Sequence, residues 1–240
     1  MLISKIKSFK LAVLLLIILL FLISTISNLN FISNKINLLD QNIALLTYNS
    51  ITHKFYGETN IFCTIIYKSV SVIAFLIVFM CILVIFIYKK YKNNAIMILI
   101  CLLIGPGIMV NYVLKDHWGR ARPYQVIRDK EKFTPFWLYM PNKPNNNSFP
   151  SGHASIGFFL GAPYLISESR KNKQFHQKLG MLISIIGGLI VGVVRILQGG
   201  HYVTDVILCG IIVIALIPFT KRFYQYILKL YQHLSSDLKI

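Results

Sequence analysis

From Ile61 to Tyr88 a single charged residue, Lys68, interrupts an apolar run. A helix of that length outreaches the roughly 30 Å hydrocarbon core of a bilayer. Backbone N–H and C=O groups find no water there, so the run folds as a helix that satisfies them internally. Similar runs extend from about Leu11 to Ile26, Ala95 to Leu114, Pro150 to Ile166, Leu179 to Leu197 and Tyr202 to Phe219. Hydrophobic residues make up 55% of the chain and charged ones 14%, with a mean hydropathy of +0.63. Soluble domains carry about a quarter charged residues. The expectation is an integral membrane protein built as one all-α bundle with about six transmembrane helices.

The charge pattern orients the bundle. The net charge is +17, but the cations stand in short clusters between spans and no nucleic-acid motif accompanies them, which argues against nucleic acid. Lys5, Lys7 and Lys10 precede the first run, which has no small-x-small cleavage site after it and reads as a retained span. Counting crossings puts these lysines, Lys89–Lys92, Arg170–Lys178 and Lys221–Lys229 on one side. The positive-inside rule makes that side, with both termini, cytoplasmic. Lys115, Arg120, Arg122, Arg128, Lys130 and Lys132 then break the rule on the outer side. Cations placed against topology point to an anion that they bind.

Other features are quieter. Gly105-Pro106-Gly107 predicts a kink in the third span. Residues 30 to 60 are mixed and polar; Tyr48, Phe55 and Tyr56 suit an outer interfacial segment. Trp118, Phe136, Trp137 and Tyr139 suit a membrane interface as well. Gly187, Gly188 and Gly192 allow close helix approach. Cys63, Cys81, Cys101 and Cys209 form no Cys-x-x-Cys pair and read as small packing residues, without a disulfide framework or zinc site.

Three polar signatures stand out within residues 115–205. They are Lys115-Asp-His-Trp-Gly-Arg-Ala-Arg122-Pro123, Pro150-Ser-Gly-His153 and Arg195-Ile-Leu-Gln-Gly-Gly-His201-Tyr-Val-Thr-Asp205. Alone, each has an ordinary reading as a solvated loop, a turn before a capped helix, or a buried hydrogen-bonded pair. Together they offer three fixed cations, two histidines and a carboxylate. Cations suit a tetrahedral oxyanion such as phosphate. A histidine with a carboxylate four residues on suggests a positioned nucleophile or base.

In this order the signatures resemble the type 2 phosphatidic acid phosphatase (PAP2) superfamily, over roughly residues 60 to 220. Val194 stands where that family usually has serine. The resemblance implies a PAP2/haloperoxidase-like helical core in which His201 attacks phosphorus and forms a phosphohistidine. Asp205 would hold the other imidazole nitrogen. His153 would protonate the leaving oxygen and later activate water. Lys115, Arg122, Arg195, Ser151 and Gly152 would bind the phosphoryl group, the last two through backbone N–H groups at a helix start. Asp116, His117 and Arg120 are assigned to contacts around the site or with the headgroup. The cations do the work of a metal, so neither metal nor other cofactor is expected.

The runs Gly105–Pro123 and Gln198–Asp205 are most similar to those of bacterial lipid A phosphatases, the 4′-phosphate type in particular. Undecaprenyl diphosphate and phosphatidylglycerophosphate phosphatases share the signatures and remain alternatives. A lipid-binding or transport protein without catalysis is a rival of another class, and the intact His153, His201 and Asp205 argue against it. The expected layout is a first transmembrane helix and outer segment over 1–60, a phosphatase core over 61–220 and a cytoplasmic tail over 221–240. The expected setting is the bacterial inner membrane with a periplasmic active site, a phosphorylated lipid as partner and no obligate protein partner.

Overall fold

The computed structural model describes residues 30–143, 146–166 and 172–237. The span expected from Leu11 to Ile26, the basic residues Arg170 and Lys171, and the topology they help to set lie outside the described residues.

Helix α1 (Asn30–Leu46) leads into a two-residue hairpin, Tyr48–Asn49 with Lys54–Phe55. The Asn49 side chain closes its turn by accepting from the Ile51 and Thr52 amides at 2.9 and 3.1 Å. Asn60 then caps helix α2 (Ile61–Ile87), its Oδ1 accepting from the Phe62 and Cys63 amides, as an asparagine at a helix start does. Along α2 large apolar side chains such as Phe75, Phe79 and Phe86 stand exposed. For a helix of this length and composition, that face is the lipid contact.

Helix α3 (Lys92–Leu102) runs without a break into a wider, π-type helix over Leu103–Lys115 that contains Pro106. The expected kink is therefore a local change of winding. Proline lacks an N–H and its ring crowds the preceding turn. The wider coil accommodates this, and the Asn111 amide donates to the Pro106 carbonyl at 2.7 Å. Wide turns of this kind recur at functional sites, and this one ends at Lys115.

The stretch after Pro150, expected as a full span, folds as two short pieces. These are α4 (Gly152–Phe159) and a single turn over Ala162–Leu165. The break falls at Gly161, whose Cα lies so close to α5 (Lys173–Leu197) that a Cβ would meet the Gly180 carbonyl at 1.9 Å. Both pieces reach the core: Ala154, Phe158, Phe159 and Ala162 sit there with Met97, Cys101, Val110, Val206, Cys209, Val213 and Ile217, while Pro163 and Tyr164 stay exposed. At about 1.5 Å per residue, α4 alone is far short of a bilayer. It is an internal helix wrapped by the longer ones. Gly187 and Gly188 admit Gly157 and Phe158 of α4, and Gly192 admits Val206.

Helix α6 (Val203–Asp237) continues as one helix through Pro218 into the stretch expected as a separate tail. Thr220 is buried there, and Lys221 donates to the Ile166 carbonyl at 2.7 Å. Among the described residues, four helical stretches are long and apolar enough to cross a membrane: Ile61–Ile87, Lys89–Ile127, Lys173–Leu197 and Val203–Gln232. The architecture is an all-α membrane bundle with the three signatures gathered at one end. The 30–60 segment packs over that end.

Candidate active site

The chain turns from α5 to α6 through Gly199 and Gly200. Gly199 has φ of +65°, and a Cβ there would meet the Phe55 ring at 2.5 Å. Only glycine takes that conformation beside a buried ring without strain. At Gly200 a Cβ would meet the Arg195 guanidinium at 2.2 Å. The two glycines thus bring His201 and Arg195 together.

His201 is buried, at 1% exposure. Its Nδ1 lies 2.6 Å from the Ser148 carbonyl. A carbonyl only accepts, so Nδ1 carries the proton and Nε2 keeps its lone pair. Burial pushes the imidazole down to about 4, which the Asp205 carboxylate opposes. The ring is therefore neutral near pH 7, the form a nucleophile requires.

Asp205 lies farther from the imidazole than expected, its Oδ2 3.7 Å from Nδ1. That oxygen accepts instead from Ser148 Oγ at 2.6 Å and from the Tyr202 amide at 2.8 Å. The physical reason is local: Asp205 is in the first turn of α6, where a carboxylate reaches back to a free amide of the helix start. Ser148 thus touches both members of the pair, its carbonyl on His201 and its hydroxyl on Asp205.

Three elements supply the cations. Lys115 ends the π-type helix, Arg122 precedes the helical turn Pro123–Ile127, and Arg195 lies in the last turn of α5. They are near enough to repel one another; all three act on His153, and Arg122 and Arg195 act on His201 as well. The Arg122 Nε and Nη2 donate to Asn147 Oδ1 at 2.9 and 2.5 Å. Arg195 donates from Nη1 to Gln198 Oε1 at 2.6 Å. Its buried Nε–H meets no acceptor among the described residues. A buried donor without an acceptor costs about 1–3 kcal/mol, and a bound oxyanion would remove that cost.

His153 opens α4 and stacks on Tyr67, with ring centroids 4.5 Å apart and planes at 20°. The Arg195 guanidinium lies 4.7 Å from the centroid of the same tyrosine. Ser151 caps α4, its Oγ accepting from the Ala154 amide. Its own N–H, expected to meet the phosphoryl group, donates to the Asp205 carbonyl at 3.4 Å. Of the two amides, Gly152 is the one beside the cations: a Cβ there would lie 2.3 Å from Asn111 Oδ1 and 3.2 Å from Lys115 Nζ. Val194 is buried and brings no hydroxyl.

The remaining expectations separate. Asp116 and His117 are exposed, and His117 folds back to donate from Nδ1 to the Tyr112 carbonyl at 2.8 Å. Arg120 is fully buried at the centre of the site. It pairs with Asp205 and, at 2.8 Å, with Asp40 of α1. Asp40, Tyr67, Asn111, Asn147 and Ser148 were not singled out in the sequence. Only Asn111, a polar residue inside an apolar run, carried a signal.

A neutral buried imidazole, a second histidine and three mutually repelling cations, gathered in a membrane bundle, equip the protein for phosphoryl transfer. The PAP2 superfamily pattern matches residues 94–229. The chain belongs to that superfamily and is a lipid phosphatase, a phosphoric monoester hydrolase. It is 37% identical over 180 residues to the lipid A 4′-phosphatase of Francisella tularensis subsp. novicida (strain U112), an alignment covering 69% of this chain and 77% of that one. It is 32% identical over 109 residues to the lipid A 4′-phosphatase of Rhizobium leguminosarum, covering 45% of each. It is 30% identical over 126 residues to phosphatidylglycerophosphatase B of Bacillus subtilis (strain 168), covering 51% of this chain and 53% of that one. No solved structure matches the chain significantly.

Proposed function

We propose that the protein removes the 4′-phosphate of lipid A at the periplasmic face of the inner membrane, through a phosphohistidine at His201. The observation that carries the mechanism is the bond from His201 Nδ1 to the Ser148 carbonyl, which leaves the Nε2 lone pair free beside Arg195 and Arg122. Nε2 attacks phosphorus, the phosphorus–oxygen ester bond breaks, and His153 gives its proton to the leaving sugar oxygen. The imidazole keeps its Nδ1 proton and becomes a phosphorylated imidazolium. Water then loses a proton to His153 and attacks phosphorus, releasing inorganic phosphate and neutral His201. Lys115, Arg122 and Arg195 neutralise the equatorial oxygens throughout, together with the Gly152 amide. Three cations supply the charge that a metal ion would otherwise bring, so turnover should survive chelators.

The choice of lipid A rests on the relatives named lipid A 4′-phosphatase. The Bacillus relative favours phosphatidylglycerophosphate as the second reading. The test is purified enzyme quenched in alkali during turnover of lipid A radiolabelled at the 4′-phosphate. Acid-labile label on the wild-type protein, absent from His201→Ala, is expected. Label retained by His201→Ala, or formed only from phosphatidylglycerophosphate, would overturn this reading.

A further inference from the structure

Asp40 lies outside the three signatures and outside the matched region 94–229, yet it is 1% exposed and tied to the site. Its Oδ2 accepts from Arg120 Nη2 at 2.8 Å and from Thr204 Oγ1 at 2.6 Å, and its Oδ1 from the Thr204 amide at 3.1 Å. Each nitrogen of Arg120 donates around it. Nη1 donates to Asp205 Oδ1 and, at 2.8 Å, to Thr204 Oγ1, while Nε donates to the Thr134 carbonyl at 3.0 Å. The Tyr202 ring closes the guanidinium off, 4.4 Å from its carbon.

Two carboxylates therefore share one cation, all three side chains at 0–1% exposure. Asp205 and Arg120 alone would sum to zero; with Asp40 the group carries one net negative charge, 3.7 Å from the His201 imidazole at its nearer end. Buried charge is screened much less than charge at the surface. We propose that Asp40 is a positioning residue for the phosphatase reaction, acting through Arg120 so that Asp205 faces His201 with an uncompensated negative charge. That charge is matched to the imidazolium that forms when Nε2 bonds to phosphorus, and it has no counterpart in the ground state, where His201 is neutral. The benefit falls on kcat rather than on substrate binding. Burial raises the Asp40 pKa; the Arg120 guanidinium at 2.8 Å is the contact that favours its charged form. The inference rests on the phosphohistidine reading above.

The charge count gives a test that a merely structural role would not pass. Asp40→Asn keeps the shape and removes the charge, leaving a sum of zero. Asp40→Asn combined with Arg120→Gln restores one net negative charge on Asp205 alone. Wild-type enzyme, both variants and His201→Ala are purified in detergent, checked for folding by size exclusion and melting, and assayed for kcat and KM on lipid A. Asp40→Asn should lose about tenfold or more in kcat with KM within about twofold, and the double variant should regain most of that loss. If Asp40→Asn does not fold, the folded double variant decides, with kcat expected within about tenfold of wild type. Unchanged kcat in Asp40→Asn, or a folded double variant as inactive as the single one, overturns the inference. Activity retained by His201→Ala instead overturns the reading beneath it.

Discussion

Replacing Gly200 by alanine would set a Cβ 2.2 Å from the Arg195 guanidinium, and the arginine would have to leave its place over Tyr67. Gly200→Ala should raise KM about tenfold or more with a smaller change in melting temperature, because a phosphate contact is lost while the fold has room to adjust. Steady-state kinetics checks this, and an unchanged KM would show that Arg195 does not hold substrate. His201 offers a second residue-scale test. Its protonated form is disfavoured by burial, which pushes the imidazole down to about 4, against an ordinary value near 6.5. Nitrogen NMR of labelled histidine, compared with His201→Asn, should show a neutral ring protonated at Nδ1 down to roughly pH 5. The sign for stability follows. The unfolded chain takes a proton that the folded chain refuses, so this histidine contributes loss of stability as pH falls from about 6.5 toward 4.

At the scale of elements, the hairpin end Phe55 is fully buried and lies against Gly199. Phe55→Ala would leave a cavity under the turn that carries His201. It should cost about 3–5 kcal/mol of stability and lose activity beyond what its melting temperature explains. Normal turnover in a folded Phe55→Ala protein would show that the 30–60 segment does not support the site. How legible each element was follows from the range of its interactions. The apolar runs at Ile61 and Val203 announce helices because burial in lipid depends on composition alone. The signatures single out Lys115, Arg122, His153, Arg195, His201 and Asp205 because polar residues a few positions apart stand out in an apolar chain. The break at Gly161 was not legible, since it comes from the approach of α5 to that one glycine. Asp40 was hidden for the same reason: its partners Arg120 and Thr204 are far along the chain, and one aspartate in a polar stretch looks like any other. Arg120, expected to make contacts around the site or with the headgroup, is buried and touches the site through Asp205.

For the whole molecule, the proposed orientation rests on the lysine and arginine clusters of the sequence. In the orientation proposed above, the basic connections lie in the cytoplasm and the site on the periplasmic side, as the positive-inside rule predicts. Asn142 lies exposed on the loop between signatures and Asn172 exposed at the start of α5. On a background without the four native cysteines, Asn142→Cys should react with a membrane-impermeant thiol reagent in intact spheroplasts, and Asn172→Cys should not. The reverse pattern would invert the protein and place its substrate in the inner leaflet. The most direct measurement of the central claim needs only purified protein in mixed micelles with lipid A, followed by phosphorus NMR in the presence of a chelator. The two glucosamine phosphates give separate resonances. The account predicts that the 4′ resonance disappears as inorganic phosphate grows, with the 1-phosphate resonance unchanged. Loss of the 1-phosphate, or two intact lipid A resonances from a preparation that hydrolyses phosphatidylglycerophosphate, would contradict it.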